Sequence, residues 1–175
     1  MARSTFSITA PAQCLRAPKS GQFLLMLDFD GVTHPVPDAS LPTDLAGVDA
    51  GFGKQFFTST PMAEVRALIE TLDAGIVVIS SWRLLPIPLV WFDRLFDGRV
   101  LGATEEADAD VPRRTARETE IERWLQTFAP TNPFAILDDT RAHYEVLEAR
   151  LVTPAPTVGV TADDAAQVRA LAARA

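Results

Sequence analysis

At 175 residues, 47% of them hydrophobic and 22% charged, the chain is long enough for one domain with a buried core and too short for two ordinary ones. A formal net charge of −7 excludes the broad counterion-release surface of a general nucleic-acid binder, while one cysteine and two histidines exclude an internal disulfide and the usual zinc sites, so any metal must be held by carboxylates. The stretch from Met1 to Phe23 has no apolar h-region and no later apolar run reaches spanning length, which leads us to expect a soluble, cytoplasmic protein.

In chain order, residues 1–22 are expected as an N-terminal extension to a single domain spanning 1–175. Leu24 to Asp28 is an unbroken apolar run closing on acidic and glycine residues, the pattern of a strand buried on both faces. Pro35 to Thr60 carries prolines, glycines and aspartates without a period and is expected to be a loop or small flap. Met62 to Leu72 predicts a helix with Val65, Leu68, Ile69 and Leu72 on one face, Pro61 in its first turn behind a Thr60 cap, and Gly75 at the handover to the next strand. That strand is Ile76 to Ser80. Pro86 and Pro88 forbid a regular helix through Leu84 to Phe96, so a helix is expected to begin near Pro88. Glu118 to Phe128 is amphipathic through Ile121, Trp124, Leu125 and Phe128, and Phe134 to Asp138 is a third buried strand ending on an acidic pair. Ala142 to Arg150 and Asp163 to Ala173 read as helices, the second opening behind Thr161, with Val158 to Val160 as a candidate last strand.

Strands alternating with helices predict an α/β fold, a Rossmann-like doubly wound parallel sheet. Ligands of such sheets gather beyond the carboxyl ends of the strands where strand order reverses, so the three polar strand ends should meet there.

Asp28 and Asp30 leave the first strand on the same side, with Gly31 permitting a tight turn. One carboxylate can attack a phosphate ester while the other gives and then takes a proton, provided a divalent cation neutralises the converging charges. Asp28 suits the attack and Asp30 the proton transfers. Asp138 and Asp139 are hard oxygen ligands of the kind magnesium prefers; capping of a helix near Arg141 would account for Asp139 but leave Asp138 unexplained. Ser80 and Ser81 can clamp phosphate oxygens or cap a helix. A fixed cation is also required, and Arg117 is the first candidate, with Arg114 and Arg113 as rivals and an ion pair to Glu120 or Glu118 as its ordinary alternative.

Taken together, Asp28-Phe29-Asp30-Gly31-Val32, then Ser80, a basic residue near Arg117, and Asp138-Asp139 resemble the four motifs of the haloacid dehalogenase (HAD) superfamily in order. More narrowly, Asp30-Gly31-Val32-Thr33-His34-Pro35, Ser80-Ser81-Trp82-Arg83 and Glu120-Ile121-Glu122-Arg123-Trp124-Leu125 are similar to HAD domains of Swiss-Army-knife RNA repair proteins. The resemblance implies Asp28 as nucleophile and magnesium ligand, Asp30 as acid/base and ligand through its carbonyl, Ser80 on phosphate, and Asp138, with Asp139 beside it, on Mg2+. The chain departs from that pattern at the third motif, arginine here where lysine is usual, and at Thr33, where this subgroup often has leucine.

No stretch between the motifs accommodates a large cap domain, so an open site is expected. Its substrate contacts are sought at Gly31, His34, Ser81, Arg83 and Arg114, with Trp82, Arg83 and His34 placed to meet a nucleotide end; buried packing of Trp82 and an internal hydrogen bond from Arg83 are the ordinary alternatives. The expected function is a Mg2+-dependent phosphomonoesterase or phosphotransferase acting on a phosphorylated substrate, a nucleotide or nucleic-acid end, without a membrane or an extended nucleic-acid surface. A small-metabolite phosphatase and a catalytically weak binding domain of the same fold are the alternatives.

Overall fold

Leu24 through Leu27 offers no polar side chain to either face of a sheet, and a segment of that kind is stable only where both faces are covered. In the computed structural model, which describes residues 12–36, 60–85 and 87–174, it lies inside a six-stranded sheet. The strands are β1 (Gln13–Cys14), β2 (Leu24–Leu27), β3 (Gly75–Val78), β4 (Val100–Ala103), β5 (Phe134–Leu137) and β6 (Leu151–Val152). Their order is β1-β4-β3-β2-β5-β6, parallel except for β1, which runs antiparallel to β4. Among the described residues the α-helices are α1 (Thr60–Leu72) between β2 and β3, α2 (Leu89–Leu95) between β3 and β4, α3 (Arg113–Phe128) between β4 and β5, and α4 (Ala162–Ala172) after β6.

Alternation along β2 divides the core. Leu25 and Leu27 pack with Met62, Val65 and Leu68 of α1, Phe92 of α2 and Val168 of α4, whereas Leu24 and Met26 pack with Ile121 and Trp124 of α3. Both faces are thus covered by helices, and the chain is an α/β Rossmann-like fold as expected. From β2 the chain moves outward through β3 and β4, then returns to place β5 on the other side of β2. The reversal puts the carboxyl ends of β2 and β5, and hence Asp28 and Asp138, side by side at the switch point.

The helix expected to start at Glu118 begins at Arg113, behind Pro112. At the end of α1 the left-handed residue is Asp73, with φ 46°, and Gly75 instead opens β3. The proposed cap Thr60 lies within the helix it was to precede. Thr161 does cap α4, in a reciprocal box with Asp164.

Two expectations fail. The helix at 142–150 is replaced by two 3-10 turns, Arg141–His143 and Leu147–Arg150. The cause is tertiary: Glu118 Oε2 accepts the N–H groups of Glu145, Val146 and Leu147 at 2.9, 2.8 and 2.7 Å, taking backbone donors out of any helical ladder. The last strand is Leu151–Val152, and 158–160 contributes only an isolated bridge, Ala155 with Gly159, while Val160 N–H bonds Val32 O at 2.9 Å. Sequence reasoning also missed β1 and β4, a two-residue edge and a short run broken by Gly102. β1 belongs to the stretch expected as an N-terminal extension, of which 1–11 lie outside the described residues. So does 37–59, most of the expected flap. Among the described residues no helix is long and apolar enough to cross a membrane.

Glu118→Ala orphans three amides at once and removes the anchor of the segment after Asp138. An expected loss of about 3 kcal/mol or more follows from roughly 1 kcal/mol per lost bond, and Glu118→Gln, which keeps an acceptor oxygen, should lose clearly less. Urea unfolding of the two variants tests this; equal midpoints in both and in wild type would show that the carboxylate anchors nothing.

Candidate active site

Each strand that carries a polar end stops one or two residues before it. Asp28 N–H bonds Leu137 O at 3.0 Å and Ile79 N–H bonds Leu27 O at 3.0 Å, so the ladder holds the backbone level up to the point where the side chains turn into the cleft. The carboxylates of Asp28, Asp138 and Asp139 converge there, with oxygen atoms all within 4.8 Å of one another. Asp30 is not a member of that cluster through its side chain. Its carboxylate turns aside to Trp82 Nε1–H, 3.2 and 3.1 Å from its two oxygens, and to His34 Nε2, 3.0 Å from Oδ1.

Gly31 is what allows the sharp exit from β2. Its φ is +68°, and a Cβ there would lie 2.8 Å from Asp139 Cγ, so glycine lets the first motif press against the fourth.

Asp28 is only 7% exposed, and burial pushes its carboxyl up to about 7, with Asp138 adding to the rise. Arg117 and hydrogen bonds from Phe29 N–H and the Ser80 hydroxyl work in the opposite sense. Burial likewise raises Asp139. Arg117 Nε is 3.7 Å from Asp138 Oδ2, and its Nη1, 4.0 Å from Glu120 Oε2, is buried without a hydrogen-bond partner. Burial opposes the charge of Arg117, but Asp28 and Asp138, then Tyr144 and Glu120, more than offset it and hold its pKa above the ordinary arginine value. The ion pair with Glu120 foreseen as the ordinary alternative is thus present alongside the contact with the carboxylate cluster.

Asp138 is tied at both oxygens: Oδ1 accepts Thr140 N–H at 2.7 Å and Oδ2 accepts Tyr144 O–H at 2.7 Å. The 3-10 turn Arg141–His143 opens at Thr140 without a side-chain cap, so the capping considered for Asp139 is not made; Asp139 accepts the Thr140 hydroxyl at 3.0 Å. Tyr144, buried between Asp138 and α3, was not foreseen; burial first, then the charge of Asp138, drives its pKa upward, so it stays a donor. A lone tyrosine six residues past an acidic pair is the signal that could have found it.

Of the remaining sequence candidates, Ser80 is fully buried and bonds Asp28, while its oxygen accepts Trp82 N–H at 3.4 Å to start the 3-10 turn Ser81–Leu84. Ser81 is exposed on that turn. His34 is buried, its Nδ1 3.1 Å from Thr33 Oγ1. Arg83 is turned away from the cleft: all five of its N–H groups are donated internally, to the carbonyls of Ile79, Ser80, Thr104 and Glu105 and to Glu120 Oε2. The ordinary alternative for it, internal hydrogen bonding, is what the structure shows. The side chains of Arg113 and Arg114 lie outside the described residues.

A buried carboxylate at a strand end, two more within reach of a shared hard cation, and a guanidinium with an open N–H suit phosphoryl chemistry. No curated protein and no solved structure matches the chain. The family model for the HAD domain in Swiss Army Knife RNA repair proteins matches residues 24–165, a span from β2 into α4 that holds every residue of this cleft, and the chain belongs to that family.

Proposed function

We propose that the chain is a magnesium-dependent phosphomonoesterase or phosphotransferase that works through a phosphorylated Asp28, with a nucleotide or nucleic-acid end as substrate. The single observation that carries this is the convergence of Asp28, Asp138 and Asp139 within 4.8 Å, faced by Arg117. Three carboxylates so close repel one another, Asp138 adding to the rise that burial gives the Asp28 carboxyl, and a small hard cation fits among them. Asp28, Asp138 and Asp139, with Asp30 through its backbone carbonyl, would hold it. Bound there, magnesium neutralises charge so that an anionic carboxylate can approach an anionic phosphoryl group.

The chain's own groups do the rest. An Asp28 oxygen bonds to phosphorus as the ester P–O bond breaks, and Asp30, entering as the acid, gives its proton to the departing oxygen. Asp30, now a carboxylate, takes a proton from water as the water oxygen bonds to phosphorus and the Asp28–phosphorus bond breaks. Inorganic phosphate leaves and both aspartates are restored. Arg117, with its open N–H, and Ser80 steady the phosphoryl oxygens through both transfers. A nucleic-acid end is favoured by the RNA-repair setting of the family, and the net charge of −7 favours an end over a long backbone.

With magnesium supplied, the protein should hydrolyse a generic aryl phosphate, lose that activity in chelator, and turn over a phosphorylated oligonucleotide faster than a panel of free phosphate esters at equal concentration. No turnover of any of them would sink the enzymatic proposal, and preference for free esters would sink its nucleic-acid half.

A further inference from the structure

The carboxylate proposed to move protons is gripped by two side chains that have no place in that chemistry themselves. Trp82 Nε1–H is shared between the two oxygens of Asp30, at 3.2 and 3.1 Å, and His34 Nε2 meets Oδ1 at 3.0 Å. Both clamping rings are buried, whereas the Asp30 side chain keeps 32% of its surface exposed. Trp82 is fixed in turn: edge-on to Phe29 at 5.9 Å and 87°, with its own backbone N–H taken by the Ser80 hydroxyl oxygen, and the next residue, Arg83, bound to the strand-end carbonyls.

We infer that Trp82 and His34 are positioning residues for Asp30, aiming its carboxylate at the leaving-group oxygen and keeping it out of the Asp28, Asp138 and Asp139 cluster. This rests on the role proposed above for Asp30. A buried indole N–H needs an acceptor, and many backbone carbonyls could serve; Trp124 N–H, for example, uses Gln13 O. Trp82 uses a functional carboxylate, and does so symmetrically, which fixes the plane of the carboxyl group as well as its place. The two contacts at Oδ1 leave Oδ2 with the indole bond alone, the freer oxygen for the travelling proton.

Proton donation matters for an alkoxide leaving group and hardly at all for a phenolate of low pKa, so kcat/KM for two esters separates aim from general damage. Trp82→Phe keeps a ring and removes the N–H. It should lower kcat/KM for an alkyl phosphate about 10-fold or more, as misalignment of a group worth roughly 10^2 to 10^4 in rate would, and leave an activated aryl phosphate nearly unchanged. Equal losses on both esters, or none on either, would overturn the clamp. Asp30→Asn run in parallel distinguishes the levels: if it shows the leaving-group selectivity and Trp82→Phe does not, the clamp alone fails, and if it shows none, the acid role of Asp30 fails and the clamp with it. Should Trp82→Phe not fold, the indole N–H resonances decide. In Asp30→Asn that of Trp82 should move upfield as one of its two acceptor oxygens becomes an amide NH2, with that of Trp124 as the fixed reference, and an unmoved Trp82 signal would refute the contact.

Discussion

Asp28→Asn should reduce turnover of any phosphate ester by roughly 10^4-fold or more, because the nucleophile is lost while the cleft keeps its shape. The same change should stabilise the metal-free protein at neutral pH. Burial raises the Asp28 carboxyl from 3.8 to about 7 in the folded chain. Below pH 4 both folded and unfolded forms hold the proton and Asp28 contributes no pH dependence. Between about 4 and 7 the folded form keeps a proton that the unfolded form has released, so each pH unit weakens folding by about 1.4 kcal/mol, and the loss levels off above 7. The penalty at pH 8 is of the order of a few kcal/mol. Thermal melts in chelator from pH 4 to 8 should therefore show wild type falling steadily below Asp28→Asn, with added magnesium closing the gap. Parallel profiles would show that burial does not raise the Asp28 carboxyl, and full activity in the asparagine variant would remove Asp28 from the chemistry.

The residues that make this prediction possible were legible because buried parallel strands write themselves plainly: Leu24 to Leu27, Gly75 to Val78 and Phe134 to Leu137 are each unbroken, and a polar residue after such a run has to face a cleft or a cap. Asp28, Ser80 and Asp138 follow from that. What the pattern could not carry was anything fixed by a partner distant in sequence. The 142–150 segment has helical spacing, yet Glu118, 27 residues before Glu145, takes its amides. The hold on Asp138 depended on Tyr144, and the roles of Trp82 and Arg83 depended on what lies across the turn from each. Local propensity ranks such residues as core, cap or surface, but the identity of the partner is a property of the packed state.

Arg83, behind the cleft, offers the sharpest separation between a structural and a functional arginine. It is buried, and burial brings its pKa down to about 10 in spite of Glu120. Its guanidinium joins the ends of β3 and β4 to α3: Ile79 O at 2.6 Å, Thr104 O at 3.0 Å and Glu120 Oε2 at 2.7 Å. Arg83→Met would leave Glu120 a buried charge held only by Ala107 N–H and the distant Arg117, at a cost of about 3–5 kcal/mol for the broken pair, which for a domain of this size corresponds to a fall in Tm of roughly 6–20 °C. Arg83→Lys should recover little, since an ammonium has three donors and no planar fork to span carbonyls on two strands. Below the melting range, KM for an aryl phosphate should be unchanged in whichever variant folds. A raised KM with undiminished Tm would instead make Arg83 a substrate contact, and the hydrogen bonds drawn inward here would have to open toward the phosphate.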